Sequence, residues 1–430
     1  VSADRGATIY ALSSGTPPAA IAVIRVSGPR ADAAVEALAG RLPEARRPSL
    51  AVLRRPGGGD VLDRALVLRF PGPTSSTGED LAEFHVHGGR SVVAAVLAAL
   101  AQVGGLRPAE PGEFTRRAFE NGRIDLSEAE GLADLLMAET EAQRRMALQL
   151  AGGALSRRVE DWQRTLLALS AQLEAVFDFA DEADVGSDLP SGWSESLRAL
   201  ATEVGAALAR PSIERLRDGV RTVIAGPPNA GKSSLLNVLV GREAAITSAI
   251  PGTTRDLVEA PTAIGGAPFL LIDTAGLRET GDVIETIGVE RARASLEAAD
   301  IILWLGDPEA SPDPGRSIRV QSKADINDAD PKADCRVSVV TGAGIDDLIA
   351  LLRERSAGLL PREGELAINA RHQAILRDVL EHLREAQSPH DPILAAESLR
   401  VARGSLDRIT GRAGVEDMLD ALFGTFCIGK

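Results

Sequence analysis

The sequence predicts a multidomain chain: an α+β N-terminal domain, an α-helical bundle domain, and a P-loop α/β domain inserted in the helical one. Three observations predict it. The 430 residues exceed what one core ordinarily organises. Two amphipathic helical blocks flank a stretch where strand and helix patterns alternate. Within that stretch stands a complete phosphate-loop motif.

Residues 1–118 read as short strands and helices in alternation. The segment from Ile21 to Val26 is strand-like, Arg30 to Leu42 is helical, and Ala65 to Phe70 is a second strand. Ala82-Glu83-Phe84-His85-Val86-His87 alternates at period two before a Gly-Gly turn, and an Ala-rich helix follows. Residues 119–212 form the first helical part. From Ile124 the spacing of Ala129, Leu132, Leu135 and Leu136 gives an amphipathic helix, with Ser127-Glu-Ala-Glu130 as its capping box. The helical pattern runs through Leu148 and Leu166 to Phe179, interrupted near Gly152-Gly153 and Gly186. Residues 213–368 alternate strand and helix again. Residues 369–430 return to helix, break at Ser388 to Pro392, and end in a Cys-Ile-Gly-Lys tail.

With 44% hydrophobic and 25% charged residues, the chain is no wholly disordered polymer. Its 47 basic against 61 acidic residues, net −14, exclude a protein that simply coats nucleic acid, while leaving room for local basic patches. The Arg pairs at 46–47, 54–55, 116–117 and 144–145 are candidates for such a patch, with solvated faces as the default. The longest apolar stretch, Val92 to Ala101, is about half a membrane span. Val1 opens no charged and apolar leader, so no secretory signal and a cytoplasmic protein are expected. Two cysteines, Cys335 and Cys427, make neither a disulfide framework nor a zinc cluster. Only Lys232, Lys323, Lys332 and Lys430 are lysines, so each marks a place where a compact ammonium is kept in an arginine-rich chain.

The chemistry is concentrated in the inserted segment. The strand Thr222 to Ala225 leads into Gly226-Pro-Pro-Asn229-Ala230-Gly231-Lys232-Ser233-Ser234 and then the apolar start of a helix. Such a loop wraps phosphates in backbone N–H groups at a helix N-terminus, Lys232 adds charge at the β/γ-phosphates, and Ser233 offers magnesium a hydroxyl. Asp273-Thr274-Ala275-Gly276 ends an apolar strand, where a carboxylate can hold magnesium's water shell. Ser322-Lys323-Ala-Asp325 resembles the guanine-reading N-K-x-D motif, with Ser322 in place of Asn, and Ser338-Val339 stands where the base-contacting loop belongs. Gly252-Thr253-Thr254-Arg-Asp256 supplies a switch threonine, Thr254, as a second magnesium ligand. Four motifs in this order point to GTP rather than ATP.

These motifs together resemble the translation-factor class of GTPases. The ending Phe426-Cys427-Ile428-Gly429-Lys430, with Gly78-Glu79-Asp80-x-x-Glu83 and His87-Gly88-Gly89, resembles the MnmE (TrmE) family of tRNA-modification GTPases over essentially the whole chain. The resemblance implies a folate-binding, dimerising N-terminal domain, a helical domain and an inserted G domain. It implies a cytoplasmic homodimer acting with an FAD protein of the MnmG type on C5 of the wobble uridine of certain tRNAs. The FAD belongs to that partner alone, and the one-carbon donor is 5,10-methylene- or 5-formyl-tetrahydrofolate.

Residue by residue, the resemblance assigns water positioning to Glu285, since Leu277 stands where other GTPases carry glutamine. It assigns a potassium ion to Asn229, Ser248, Ile250 and Thr253, and gives Ser248 to the nucleotide site as well. It places folate at Arg25, Glu83, Arg123 and Lys430, with Arg123 where the family usually has lysine, and gives Cys427 a part in the modification reaction. Reaching that site requires the last helix to return to the N-terminal domain, across a homodimer interface. Against these stand plainer readings: Glu285 as a solvated loop carboxylate, Asn229 as a loop cap, Lys430 as a frayed terminus. A ribosome-assembly GTPase of the Era/EngA type would share every G motif, but would carry an RNA-binding appendage that this sequence lacks. A vestigial scaffold would have lost Lys232, Ser233 or Asp273. His85 and His87 alternate with Glu83 without a third metal ligand nearby, so turn packing is expected there.

Overall fold

The computed structural model describes residues 6–178, 191–242, 259–274, 293–362, 364–387, 392–413 and 416–429. The chain divides into two compact units, Val1–Ala133 with Asp407–Lys430, and Asp134–Leu406.

The first unit is built on a six-stranded sheet of β1 (Thr8–Leu12), β2 (Ile21–Ser27), β3 (Ser49–Arg54), β4 (Val61–Phe70), β5 (Leu81–His87) and β6 (Leu106–Pro108). Its order is β3-β4-β5-β2-β1-β6, antiparallel except for β1 against β6. Period-two alternation sends Ala22, Ile24 and Val26 of β2, with Ala82, Phe84 and Val86 of β5, into a core shared with Val35, Leu38, Val96 and Leu100. The last four lie on α1 (Ala31–Ala39) and α2 (Arg90–Leu100). The opposite side of β2 and β5 carries Arg25 and Glu83, which pair across the strands. Helix α1 stops short of Leu42 because Gly40, at φ 74°, caps it in the left-handed conformation.

Helices α3 (Glu113–Glu120) and α4 (Leu126–Met137) follow. The capping box of α4 is Asp125 with Glu128, not Ser127 with Glu130. Asp125 Oδ1 accepts from the Glu128 N–H at 2.9 Å, and Glu128 Oε2 accepts from the Asp125 N–H at 2.8 Å. Ser127 is spent on Asp125, to which its hydroxyl donates at 2.8 Å.

The C-terminal segment completes this unit within the same chain, so its return needs no partner copy. Phe423 and Phe426 pack with Phe119 and Ala129, and Ile428 bridges Pro111. Gly112 lies at φ 67° against Phe423; a Cβ there would sit 2.3 Å from the Phe423 carbonyl oxygen. Gly429 lies just as tightly against the Leu12 carbonyl at the end of β1.

The second unit holds a sheet of order β12-β11-β10-β7-β9-β8. Its strands are β7 (Val220–Ala225), β8 (Glu259–Ile264), β9 (Ala267–Asp273), β10 (Ile301–Trp304), β11 (Ser317–Gln321) and β12 (Cys335–Arg336). All neighbours are parallel except β8 and β9. One core joins Ile224, Phe269, Leu271 and Ile318 to Leu235 and Leu239 of a helix at Lys232–Arg242 and Leu348 and Leu352 of another at Ile345–Ala357. Such burial of a parallel sheet explains its continuous apolar strands.

Helical segments bracket this sheet in sequence. On the helix Ala154–Asp178 the buried residues Leu155, Val159, Trp162, Leu166, Leu169 and Leu173 recur at steps of four and three. Trp193, opening the helix Trp193–Leu208, donates its indole N–H to the Leu169 carbonyl at 3.0 Å. Trp193–Leu208 in turn packs on Ala370–Glu385 from beyond the sheet, with Gly205 facing Leu380. Helical residues on both sides of the α/β segment thus share one packing, as an inserted domain requires. The interruption at Gly152-Gly153 falls where expected, between Glu141–Ala151 and Ala154–Asp178. Residues near Gly186 and most of the break at 388–392 lie outside the described residues.

Candidate nucleotide site and the ionic face of the N-terminal sheet

β7 lies between β10 and β9 and delivers residues 226–231 at its C-terminal end. Gly226 has φ 151°, and a Cβ there would stand 3.1 Å from the Leu305 carbonyl carbon, so only glycine lets the loop leave the strand at that point. Asn229 takes φ 61°, a left-handed conformation that asparagine tolerates better than most residues. Lys232 then opens the helix. Its ammonium folds over the loop and donates to the carbonyls of Gly226 at 3.1 Å and Pro227 at 2.9 Å. Ser233 donates to Oδ2 of buried Asp273 at 2.5 Å. A hydroxyl and a carboxylate oxygen in direct contact are the hard donors magnesium takes. Thr274 is tied to the Ile224 carbonyl through its hydroxyl at 3.0 Å and its N–H at 3.3 Å.

The Ser322-Lys323-Ala-Asp325 motif reaches the same loop. Lys323, at φ 56°, donates from Nζ to the Asn229 carbonyl at 3.1 Å. Asp325 takes the hydroxyl of buried Ser338, which holds its carboxyl below the ordinary range and keeps it an acceptor. The Ser322 carbonyl accepts from the Asn327 amide at 3.3 Å, and Val339 leans on the sheet core. Asn229, Ala230, Gly231, Lys232, Ser233, Ser234, Asp273, Thr274 and Lys323 therefore gather at one end of the sheet, with the Asp325–Ser338 pair beyond Lys323. Ser248, Ile250, Thr253, Thr254, Ala275, Gly276 and Glu285 lie outside the described residues. A cavity of about 380 Å³ opens elsewhere in this unit, between Met137, Ala147, Ile213 and Leu216. It shares no residue with the phosphate loop.

In the first unit Arg25 donates to Glu83 Oε1 through Nε at 3.1 Å and Nη2 at 2.8 Å, while Nε2 of His85 stands 3.0 Å from Oε2. Burial would raise the Glu83 pKa, but the hydrogen bonds from His85 and Arg25 outweigh it and hold the carboxyl below its usual range. Both carboxylate oxygens are thus engaged already, so a ligand's donor edge would have to share or displace these partners. Arg123 is exposed beside Gly78 rather than on this pair, Cys427 is exposed, and Lys430 lies outside the described residues. His87 is taken by Asp63, at 2.8 Å from Nδ1 and 2.7 Å from its N–H. Among the described residues no group of three His, Cys, Asp or Glu could hold a metal. Nor is any helix among them long and apolar enough to cross a membrane.

Sequence reasoning missed a buried ionic cluster behind that face. Arg117, 6% exposed, donates to Glu79 at 3.0 Å, Glu113 at 2.9 Å and the Ala7 carbonyl at 2.9 Å. Glu113 also takes a two-pronged bond from Arg107, at 2.8 and 2.6 Å, and the Glu110 N–H at 2.9 Å. Burial opposes its ionisation, yet these bonds prevail and lower its pKa. Only the i,i+4 spacing of Glu113 and Arg117 was visible beforehand. The Arg pair 116–117 is accordingly no solvent face for RNA: Arg117 is buried, and Arg116 pairs with Asp420 above the Phe423 ring. Arg144 and Arg145 both pair with Glu141.

Comparison with known proteins places the whole chain in one family. The family model described as the GTP-binding protein TrmE N-terminus matches residues 8–123, and that of the MnmE helical domain matches 126–427. The tRNA modification GTPase MnmE of Rhizorhabdus wittichii is 60% identical over 427 residues, 98% of this chain and 96% of its own. Its namesakes in Erythrobacter litoralis and Novosphingobium aromaticivorans are 57% and 54% identical, each over 98% of this chain and 100% and 99% of their own. With its complete phosphate loop, its TrmE-type N-terminal sequence and this full-length likeness, the chain belongs to the MnmE (TrmE) family of tRNA modification GTPases.

Proposed function

We propose that this GTP hydrolase acts with an FAD protein of the MnmG type to add an aminomethyl or carboxymethylaminomethyl group to C5 of the wobble uridine of certain tRNAs. The observation that carries the reading is a second polar face, where Arg25, Glu83 and His85 converge, in a chain that also holds a complete phosphate loop. Asn229 to Ser234 cradle the phosphates, Asp325 reads guanine, and Ser233 with Thr254 holds magnesium. Asn229, Ser248, Ile250 and Thr253 hold potassium, and Glu285 positions the attacking water. A tetrahydrofolate supplies the one-carbon unit when bound at Arg25, Glu83, Arg123 and Lys430. There the guanidinium groups suit its acceptor oxygens, and the Glu83 carboxylate suits its donor edge once His85 yields an oxygen. Cys427 stands in the tail that docks on this same unit. The domains are 1–118, 119–212, 213–368 and 369–430, in a cytoplasmic homodimer.

Glu83→Ala tests the reading. In the full-length protein it is expected to weaken tetrahydrofolate binding and to abolish modified uridine in a reconstitution with the FAD protein, tRNA and folate, while GTP turnover stays within about twofold. Unchanged folate affinity would place the pocket elsewhere.

A further inference from the structure

We propose that the buried cluster Arg107–Glu113–Arg117–Glu79 is a positioning device for tRNA modification, with Arg117 at its centre, holding the Arg25–Glu83 face and the docked Cys427 tail in fixed register. The inference rests on the reading that this face and this tail serve the modification reaction.

The connectivity carries it. Ser27 ends β2 two residues after Arg25, and so lies on the same side of the strand. Its hydroxyl donates to Glu79 Oε2 at 2.8 Å and stands 2.7 Å from that of Thr77. Glu79 in turn precedes Glu83 by four residues, on the turn leading into β5. Arg117 joins Glu79 to Glu113. Glu113 directly follows Pro111 and Gly112, the two residues against which Ile428 and Phe423 of the C-terminal segment rest. Hydrogen bonds from Ser27 through Glu79 and Arg117 to Glu113, continued by the backbone at either end, thus link the strand bearing Arg25 to the dock of the tail.

The chemistry suits a spacer better than a glue. Arg117 and Glu113 are each 6% exposed, and buried ion pairs are often replaceable by apolar residues without loss of stability. What an apolar substitute cannot do is fix angles. The planar guanidinium of Arg117 reaches Glu79, Glu113 and the Ala7 carbonyl at once, so three segments distant in sequence share one rigid plane. A lysine has the charge without the fork.

Arg117→Lys in the full-length protein is therefore the test. Modification turnover with the FAD protein and tRNA is expected to fall about tenfold or more at unchanged KM for tRNA, since small displacements of reacting groups are that costly. GTP turnover is expected to stay within about twofold. A nitroxide on Cys427 reports the tail directly. Labelling is selective, because Cys335 is buried and its thiol is pushed up to about 11. The label is expected to gain a mobile component in the variant. Should Arg117→Lys not fold, Glu113→Gln, which keeps the side-chain shape, is read by the same two measurements. An immobile label, or unimpaired modification, in the folded variant overturns the inference. If Cys427→Ser itself leaves modification intact, the underlying reading fails instead; if Cys427→Ser is inactive and the cluster variants are normal, only the inference fails.

Discussion

Lys323 reaches across to the Asn229 carbonyl, so a residue just beyond β11 also braces the phosphate loop. Lys232 bonds the loop's own carbonyls and must turn outward to meet a phosphate. Loss of either lysine is thus expected to be a binding defect. The role proposed for Glu285 differs in kind: positioning water would affect the transition state and not the bound nucleotide. Glu285→Ala is expected to lower kcat for GTP about 10²-fold or more with little change in nucleotide affinity, whereas Lys232→Ala weakens binding itself. Single-turnover kinetics beside nucleotide titration separates the two, and near-normal kcat in Glu285→Ala would return that residue to the solvent. The phosphate loop was legible in the sequence because its chemistry is contiguous from Gly226 to Ser234. The Arg117 cluster was not, since its partners are Ala7, Glu79 and Glu113, and only the last lies a helical turn away.

At the scale of an element, α4 shows how a correct helix can start at the wrong residue. Its apolar spacing fixes the face, yet two box patterns overlap at its start, Asp125 with Glu128 and Ser127 with Glu130. Asp125 prevails because its short carboxylate takes both the Glu128 N–H and the Ser127 hydroxyl, leaving Ser127 inside the first turn. Asp125→Ala is expected to cost about 1 kcal/mol, read as a lowered urea midpoint of the purified protein. Equal stability would show that the first turn is held by packing alone, through Leu126 and Ala129. The strands β2 and β5 were readable for the opposite reason: alternation set their two faces with no competing register.

For the whole molecule, the proposed potassium ion has the widest consequence. Asn229 already holds a left-handed conformation in the phosphate loop, and the proposed potassium site takes its other ligands from residues 248–253. Under the proposed function a monovalent cation there adds positive charge beside the phosphates. GTP turnover in potassium is expected to exceed clearly that in sodium at equal ionic strength, with nucleotide-dependent association seen by light scattering. Equal rates in both salts would remove the ion from the mechanism. This part of the function came from resemblance to a family and not from composition: the net charge of −14 argued only against a nucleic-acid coat.

The unit that begins the chain is closed by residues 407–430. During synthesis, then, β1 to α4 emerge early but wait for residues 134–406 to be made. At about 5–20 residues per second the delay is roughly a quarter of a minute to a minute. Throughout that interval Phe119 and Ala129 lack the aromatic rings of Phe423 and Phe426 that bury them in the finished protein. A ribosome paused before residue 407 carries an uncovered apolar surface of the kind chaperones hold, and the first unit becomes complete only as translation of the last helix ends.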